Sequence, residues 1–191
     1  MNELILLNGP PGIGKSTLAG LYADRHHGVL NLDVDKVRCL IGGWEEDFQR
    51  AGTLVRPIAL SMATTHLTAG HTVIMPQYLD AGDEVRLFRK AAEEAGAGFR
   101  EIVLMDSLGE SVERFYSRVD SSDPWHASVI SIVEQGGGPL LLESMYQDLT
   151  DGLDARPSAT RIPSRRGRIE ETYRHLVDAL ALAAPEPGRT V

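Results

Sequence analysis

The stretch Gly9-Pro10-Pro11-Gly12-Ile13-Gly14-Lys15-Ser16, followed by Thr17, constrains this chain more than any other part of it. It satisfies every fixed position of G-x-x-x-x-G-K-[ST], in a chain with only three lysines. The setting strengthens the match. The apolar run Glu3 to Leu7 reads as a buried strand, and Lys15 to Arg25 as a helix with Leu18, Leu21, Tyr22 and Arg25 on one face. A strand that turns through glycines into a helix N-terminus directs backbone N–H groups at an anion, and the helix adds its partial positive charge. In such a cradle Lys15 can bridge the β- and γ-phosphates of a nucleotide, and the Ser16 hydroxyl can ligate Mg²⁺.

Beyond the glycine loop, apolar runs and helical stripes alternate. Val29 to Asp33, Thr72 to Met75 and Phe99 to Met105 read as strands. Val34 to Ile41 reads as a short helix. A second helix carries Leu54, Ile58, Met62 and Thr65, with Pro57 near its start or at a kink, and a third spans Asp83 to Ala95. Ser107 and Glu110 form a capping-box pattern opening a helix with Val112, Phe115, Tyr116 and Val119. This alternation predicts an α/β fold, a parallel sheet covered by helices on both faces. The pattern loosens from Asp120 to about Ser164, which reads as a helical insertion or lid. Ile169, Tyr173, Leu176 and Leu180 then mark a final helix. The organisation expected is one domain over residues 1–184, with a lid at about 119–164 and a flexible tail at 185–191.

Charge and composition narrow the partners. A net charge of -8 disfavours a long nucleic acid, although Arg161, Arg165, Arg166 and Arg168 form a local basic cluster. The single cysteine, Cys39, reads as a small buried apolar residue; alone it forms no internal disulfide and fits a reducing compartment. The N-terminus lacks the basic and apolar regions of a signal peptide, and no apolar run reaches the ~20 residues of a membrane span. A cytoplasmic protein without membrane attachment is expected.

Two carboxylates, Asp33 and Asp35, stand at the end of the second strand, where parallel sheets bind ligands. Asp35 can meet a substrate or merely offset the dipole of the following helix; Asp33 can back a metal ion through water or cap the helix. Here the chain resembles the small P-loop kinases that include chloramphenicol phosphotransferase, zeta-type toxins and the kinase domain of polynucleotide kinase. The likeness rests on the glycine loop, on Asp35, which matches their catalytic base, and on Arg38 three residues later. It implies a three-layer P-loop fold with about five parallel strands and a helical lid, using ATP and Mg²⁺ to phosphorylate a hydroxyl of a small acceptor such as an antibiotic or metabolite.

The resemblance further implies that Gly9 to Thr17 hold the nucleotide, with Ser16 and Asp33 toward the metal. Asp35, Lys15 and Arg118 are then the catalytic set, and Arg38, Gln77, Tyr78 and Arg114 face the acceptor. Arg114 and Arg118 lie one helical turn apart where such kinases carry lid arginines, and Arg161 to Arg168 lie in the segment that contributes to the adenine pocket. One departure stands out: the third strand, which in relatives abuts the P-loop strand, ends here in Met75-Pro76-Gln77-Tyr78 without a carboxylate. The alternatives are a kinase for nucleic-acid 5′ ends or nucleotide-sugars, and an NTP-binding regulatory switch.

Overall fold

A computed structural model describes residues 2–80, 82–117 and 124–182. In chain order the elements are β1 (Glu3–Asn8), α1 (Lys15–Arg25), β2 (Leu30–Asn31), α2 (Val34–Arg38), α3 (Phe48–Thr68), β3 (Val73–Pro76) and α4 (Gly82–Glu94). β4 (Gly98–Met105), α5 (Leu108–Tyr116), α6 (Pro124–Gln135), α7 (Pro139–Asp154), β5 (Thr160–Pro163) and α8 (Ile169–Ala181) follow. All strand pairs are parallel, in the order β2-β3-β1-β4-β5.

The three layers follow from period two in the strands. Leu4, Leu6, Val73 and Met75 point to one face, beneath Val55, Ala59 and Ala63 of α3 and Val85 and Phe88 of α4. Ile5, Leu7, Ile74, Ile102 and Leu104 point to the other, against Leu18 and Tyr22 of α1 and Leu176 of α8. Covered on both sides, Leu4 to Leu7 have no exposed surface, which explains an unbroken aliphatic run where a half-buried strand would alternate.

Several expectations shift. The sheet has its fifth strand at Thr160–Pro163, inside the segment assigned from sequence to the insertion. α7 buries Leu149 and Leu153 against Val103 of β4, so its C-terminal half belongs to the core. On α3 the buried face is Ala51, Val55, Ala59, Ala63 and Leu67, while Leu54, Ile58 and Met62 remain exposed. Small side chains let the helix approach the sheet closely. Pro57 lies well inside α3. Cys39 is only partly buried, its thiol donating to the Asp35 carbonyl at 3.3 Å.

No described helix is long and apolar enough to cross a membrane. A cleft of about 370 Å³ is lined by Leu30 of the edge strand β2 and by Met62 and His66 of α3. It lies toward the start of β2, away from the strand ends that carry the chemistry-bearing residues.

Candidate active site

Because every strand runs the same way, the five C-terminal ends share one edge. β1 is central, so the glycine loop divides that edge. Asp33, Asp35, Gln77 and Tyr78 follow β2 and β3 on one side; Asp106, Arg114 and Ser164 follow or adjoin β4 and β5 on the other.

The loop's glycines are structurally required. Gly9 has φ 143°, and a Cβ there would meet the Leu104 carbonyl oxygen at 2.6 Å; Gly12 has φ 83°, and its Cβ would lie 2.8 Å from the Phe115 nitrogen. Asn8, fully buried, sets the direction in which the chain leaves β1. Its Oδ1 accepts from the Gly9 and Leu79 amides at 2.8 and 3.0 Å, and its Nδ2 donates to the Leu79 carbonyl and to Glu101 Oε1 at 2.7 and 3.0 Å. Glu101 also pairs with Arg156 at 3.0 Å, so a buried charge pair between β4 and the end of α7 supports the loop from below. Sequence reasoning missed this network. The available signal was Glu101 itself, a charge interrupting the aliphatic β4.

The loop's far end is held by the Ile13 carbonyl, which accepts from Arg114 Nη2 at 2.6 Å and from Ser164 Oγ at 2.9 Å. Arg114 also donates to the Ser164 carbonyl and stands 3.6 Å from Asp106. Loss of solvent lowers its affinity for its proton, against the pull of Asp106 and Glu110. The structure therefore sets Arg114, expected to face the acceptor, against the loop backbone. Asp106 faces Arg114, and β3, as the resemblance implied, abuts β1; it ends without a carboxylate.

Lys15 Nζ donates to the Gly9 and Pro10 carbonyls at 2.7 and 3.0 Å, folding the ammonium over the loop. Ser16 and Thr17 are exposed in the first turn of α1, which contains no acidic residue, so nothing on that turn neutralises the helix N-terminus. A glycine backbone that excludes side chains, a bare helix end and a flexible ammonium fit a bound polyphosphate. Among the described residues no three His, Cys, Asp or Glu side chains cluster as metal ligands. A Mg²⁺ ion would accordingly rest on Ser16, phosphate oxygens and water, with Asp33 at one remove.

On the other side Asp33, 7% exposed, caps α2 by accepting from the Asp35 amide at 3.2 Å. Asp35 stands 3.4 Å from Arg38, whose side chain is 10% exposed. Burial pushes the Asp35 carboxyl above the ordinary aspartate range; Arg38 opposes the shift, Asp33 adds to it and Lys15 opposes it. The field of Lys15 thus reaches Asp35 across the divide. Gln77 presents a buried side-chain oxygen without a hydrogen-bond partner. Tyr78, expected to touch the acceptor, donates to the Met145 carbonyl at 2.9 Å and so ties β3 to α7; burial, with Asp80 and Asp148, holds its hydroxyl protonated far into the alkaline range. Arg118 lies outside the described residues. Arg165, Arg166 and Arg168 are exposed directly after Ser164, beside the loop.

Solved structures with this fold include a gluconokinase from Sinorhizobium meliloti (16% identity, TM-score 0.64, 96% of this chain and 93% of that one). A tunicamycin resistance protein from Deinococcus radiodurans gives 17% identity and TM-score 0.61 over 97% and 99% of the two chains. Shikimate kinase from Bacteroides thetaiotaomicron gives 16% identity and TM-score 0.61 over 95% and 99%. At these identities the likeness is one of fold. No curated relative matches the chain. The sequence pattern of the AAA domain family, however, matches residues 4–132, from β1 into α6 and across both halves of the crevice, and the chain belongs to that family.

Proposed function

We propose that the protein is a phosphotransferase that moves the γ-phosphoryl group of ATP to a hydroxyl of a small molecule. The observation that carries this reading is the divided crevice: a phosphate-binding loop at its centre, with a carboxylate of raised proton affinity on one side, within the field of the loop's own lysine. Likeness in fold to proteins named gluconokinase and shikimate kinase supports a small acceptor. The Asp35 and Arg38 pair supports placing the chain near the kinases that resemble chloramphenicol phosphotransferase.

In this reading the backbone N–H groups from Gly9 to Ser16 bind the phosphates, with Pro10, Pro11 and Ile13 shaping the loop. Lys15 leaves the Gly9 and Pro10 carbonyls for the β- and γ-phosphate oxygens, exchanging neutral partners for charged ones. Mg²⁺ bound with ATP supplies neutralisation of charge on the transferring group. Asp35 orients the acceptor hydroxyl and takes its proton at a carboxylate oxygen, and Arg38 holds that carboxylate in position. Arg114 keeps the Ile13 carbonyl fixed, and Arg118, one turn further along the sequence, offsets developing charge. The domain spans residues 1–184, and the cytoplasm is its compartment.

The test is ADP release in the presence of a panel of hydroxylated small molecules, paired with thermal denaturation in Mg-ATP. Wild type is expected to gain about 2.7 kcal/mol at a hundredfold excess of ATP over Kd, and Lys15→Ala to lose most of that gain. An unchanged Mg-ATP shift in Lys15→Ala, or ATP turnover that no acceptor stimulates, overturns the reading.

A further inference from the structure

Both tryptophans of the chain, Trp44 and Trp125, are far apart in sequence yet meet near Arg38, the partner of Asp35, with ring centroids 5.1 Å apart and planes tilted by 35°. Phe48, the first residue of α3, lies 6.0 Å from Trp125. The Arg38 guanidinium stacks 4.1 Å over the Phe48 ring and stands 5.9 Å from that of Trp125. Three pieces of chain supply the cluster: the turn between α2 and α3, the start of α3, and the first turn of α6.

A purely structural aromatic cluster would be sealed. Here Trp44, Phe48 and Trp125 are each only partly buried, so the cluster retains apolar surface open to solvent. Beneath them Arg38 is nearly enclosed, and its Nε is buried without a hydrogen-bond partner. Gly52 of α3 lies alongside the guanidinium; a Cβ there would meet Arg38 Nη2 in ordinary contact at 3.6 Å. Flat apolar faces, a delocalised cation with an unused donor and a proton acceptor thus adjoin one another. An open-chain polyol would leave the apolar faces wet, whereas a flat ring covers them.

Resting on the kinase reading above, we propose that Trp44, Phe48 and Trp125 form the acceptor platform, and that the acceptor is an alcohol carried on an aromatic or heteroaromatic ring. The ring stacks on the cluster, and its hydroxyl-bearing arm extends past Arg38 to Asp35. Trp125 comes from α6 and Phe48 from α3, so a ring stacked on the cluster touches both elements, and the environment of both indoles changes on binding.

Since the chain has no other tryptophan, its emission reports on this platform alone. The full chain is titrated with benzyl alcohol, 2-phenylethanol and 3-pyridinemethanol, and in parallel with glycerol, sorbitol and gluconate, with and without Mg-ATP; ADP release is followed in the same samples. A saturable emission change and stimulated ADP release are expected from the ring-bearing alcohols only. Trp44→Ala should weaken their apparent affinity about tenfold, and Trp44→Phe, which keeps a ring, should stay within about threefold of wild type. If Trp44→Ala does not fold, Trp44→Leu, which keeps bulk without a π face, takes its place.

Turnover of the polyols with silence from the rings overturns the proposal. So does silence from every ring-bearing member, or ring binding that ignores the loss of the indole. The two levels separate cleanly. Mg-ATP stabilisation with a polyol as acceptor keeps the kinase reading and removes the platform; no response to Mg-ATP removes the kinase reading, while the nucleotide-free titration still decides the platform.

Discussion

Asp35→Asn separates the chemistry of the acceptor side from its architecture. The cap of α2 is the Asp33 side chain on the backbone amide of residue 35, so the substitution leaves it intact. What disappears is the carboxylate and its 3.4 Å pairing with Arg38, a partly exposed contact worth about 0–1 kcal/mol. Against that loss stands relief. The folded pKa is raised, chiefly by burial, so ionised Asp35 opposes the fold. For a raised carboxyl the favourable contribution is complete below the free aspartate value, near 3.8, and is lost as pH rises through the folded value. At pH 7 the wild type carries that unfavourable contribution and the amide does not. Asp35→Asn is therefore expected to melt no lower than wild type at pH 7, with its relative advantage shrinking as pH falls toward 4. Phosphoryl transfer should fall about 10²–10⁴-fold, a barrier increase of about 2.7–5.5 kcal/mol, with ATP-dependent stabilisation retained. Differential scanning fluorimetry across pH and an ADP-coupled rate assay measure both. Transfer near the wild-type rate refutes the assignment of Asp35. A clearly lower melting temperature at pH 7 refutes the electrostatic account.

Arg38→Gln removes the largest influence lowering the Asp35 pKa, so the acid limb of the kcat/KM profile should move to higher pH; an unmoved limb would show that Asp35 does not govern it. Arg114→Ala deprives the Ile13 carbonyl of a charge-assisted hydrogen bond of about 1.5–3 kcal/mol, and of its brace to Ser164. Its melting temperature should drop by several degrees and ATP binding should weaken in the same variant, whereas unchanged stability with a pure rate loss would move Arg114 from positioning to catalysis.

The glycine loop was legible because its motif is local: Gly9, Gly12 and Gly14 all adopt positive φ within one short stretch of chain, although the groups that a Cβ would meet there, from Leu104, Arg114 and Phe115, come from β4 and α5. The strands buried on both faces were legible for the same reason, as continuous aliphatic runs. β5 was not. Of Thr160 to Pro163 only Ile162 is buried, so the edge strand has neither a run nor an alternation long enough to read. On α3 the conspicuous residues misled: Leu54, Ile58 and Met62 advertise a packing stripe, but alanines make the contact because close helix–sheet approach favours the smallest side chains. The supports of the site were hidden by distance along the chain. Nothing near Glu101 announces Arg156, and nothing near Trp44 announces Trp125, since both pairings exist only once the sheet order has brought α6 and α7 round to the crevice.

That sheet order also bears on kinetics. With the loop strand in the middle position of β2-β3-β1-β4-β5, the two halves of the crevice open on opposite flanks. For a two-substrate transfer this favours a ternary complex: either partner binds first without blocking the other, and initial-rate plots intersect instead of running parallel. In the proposed transfer the phosphorus would pass between the substrates in a single displacement, so its configuration would invert.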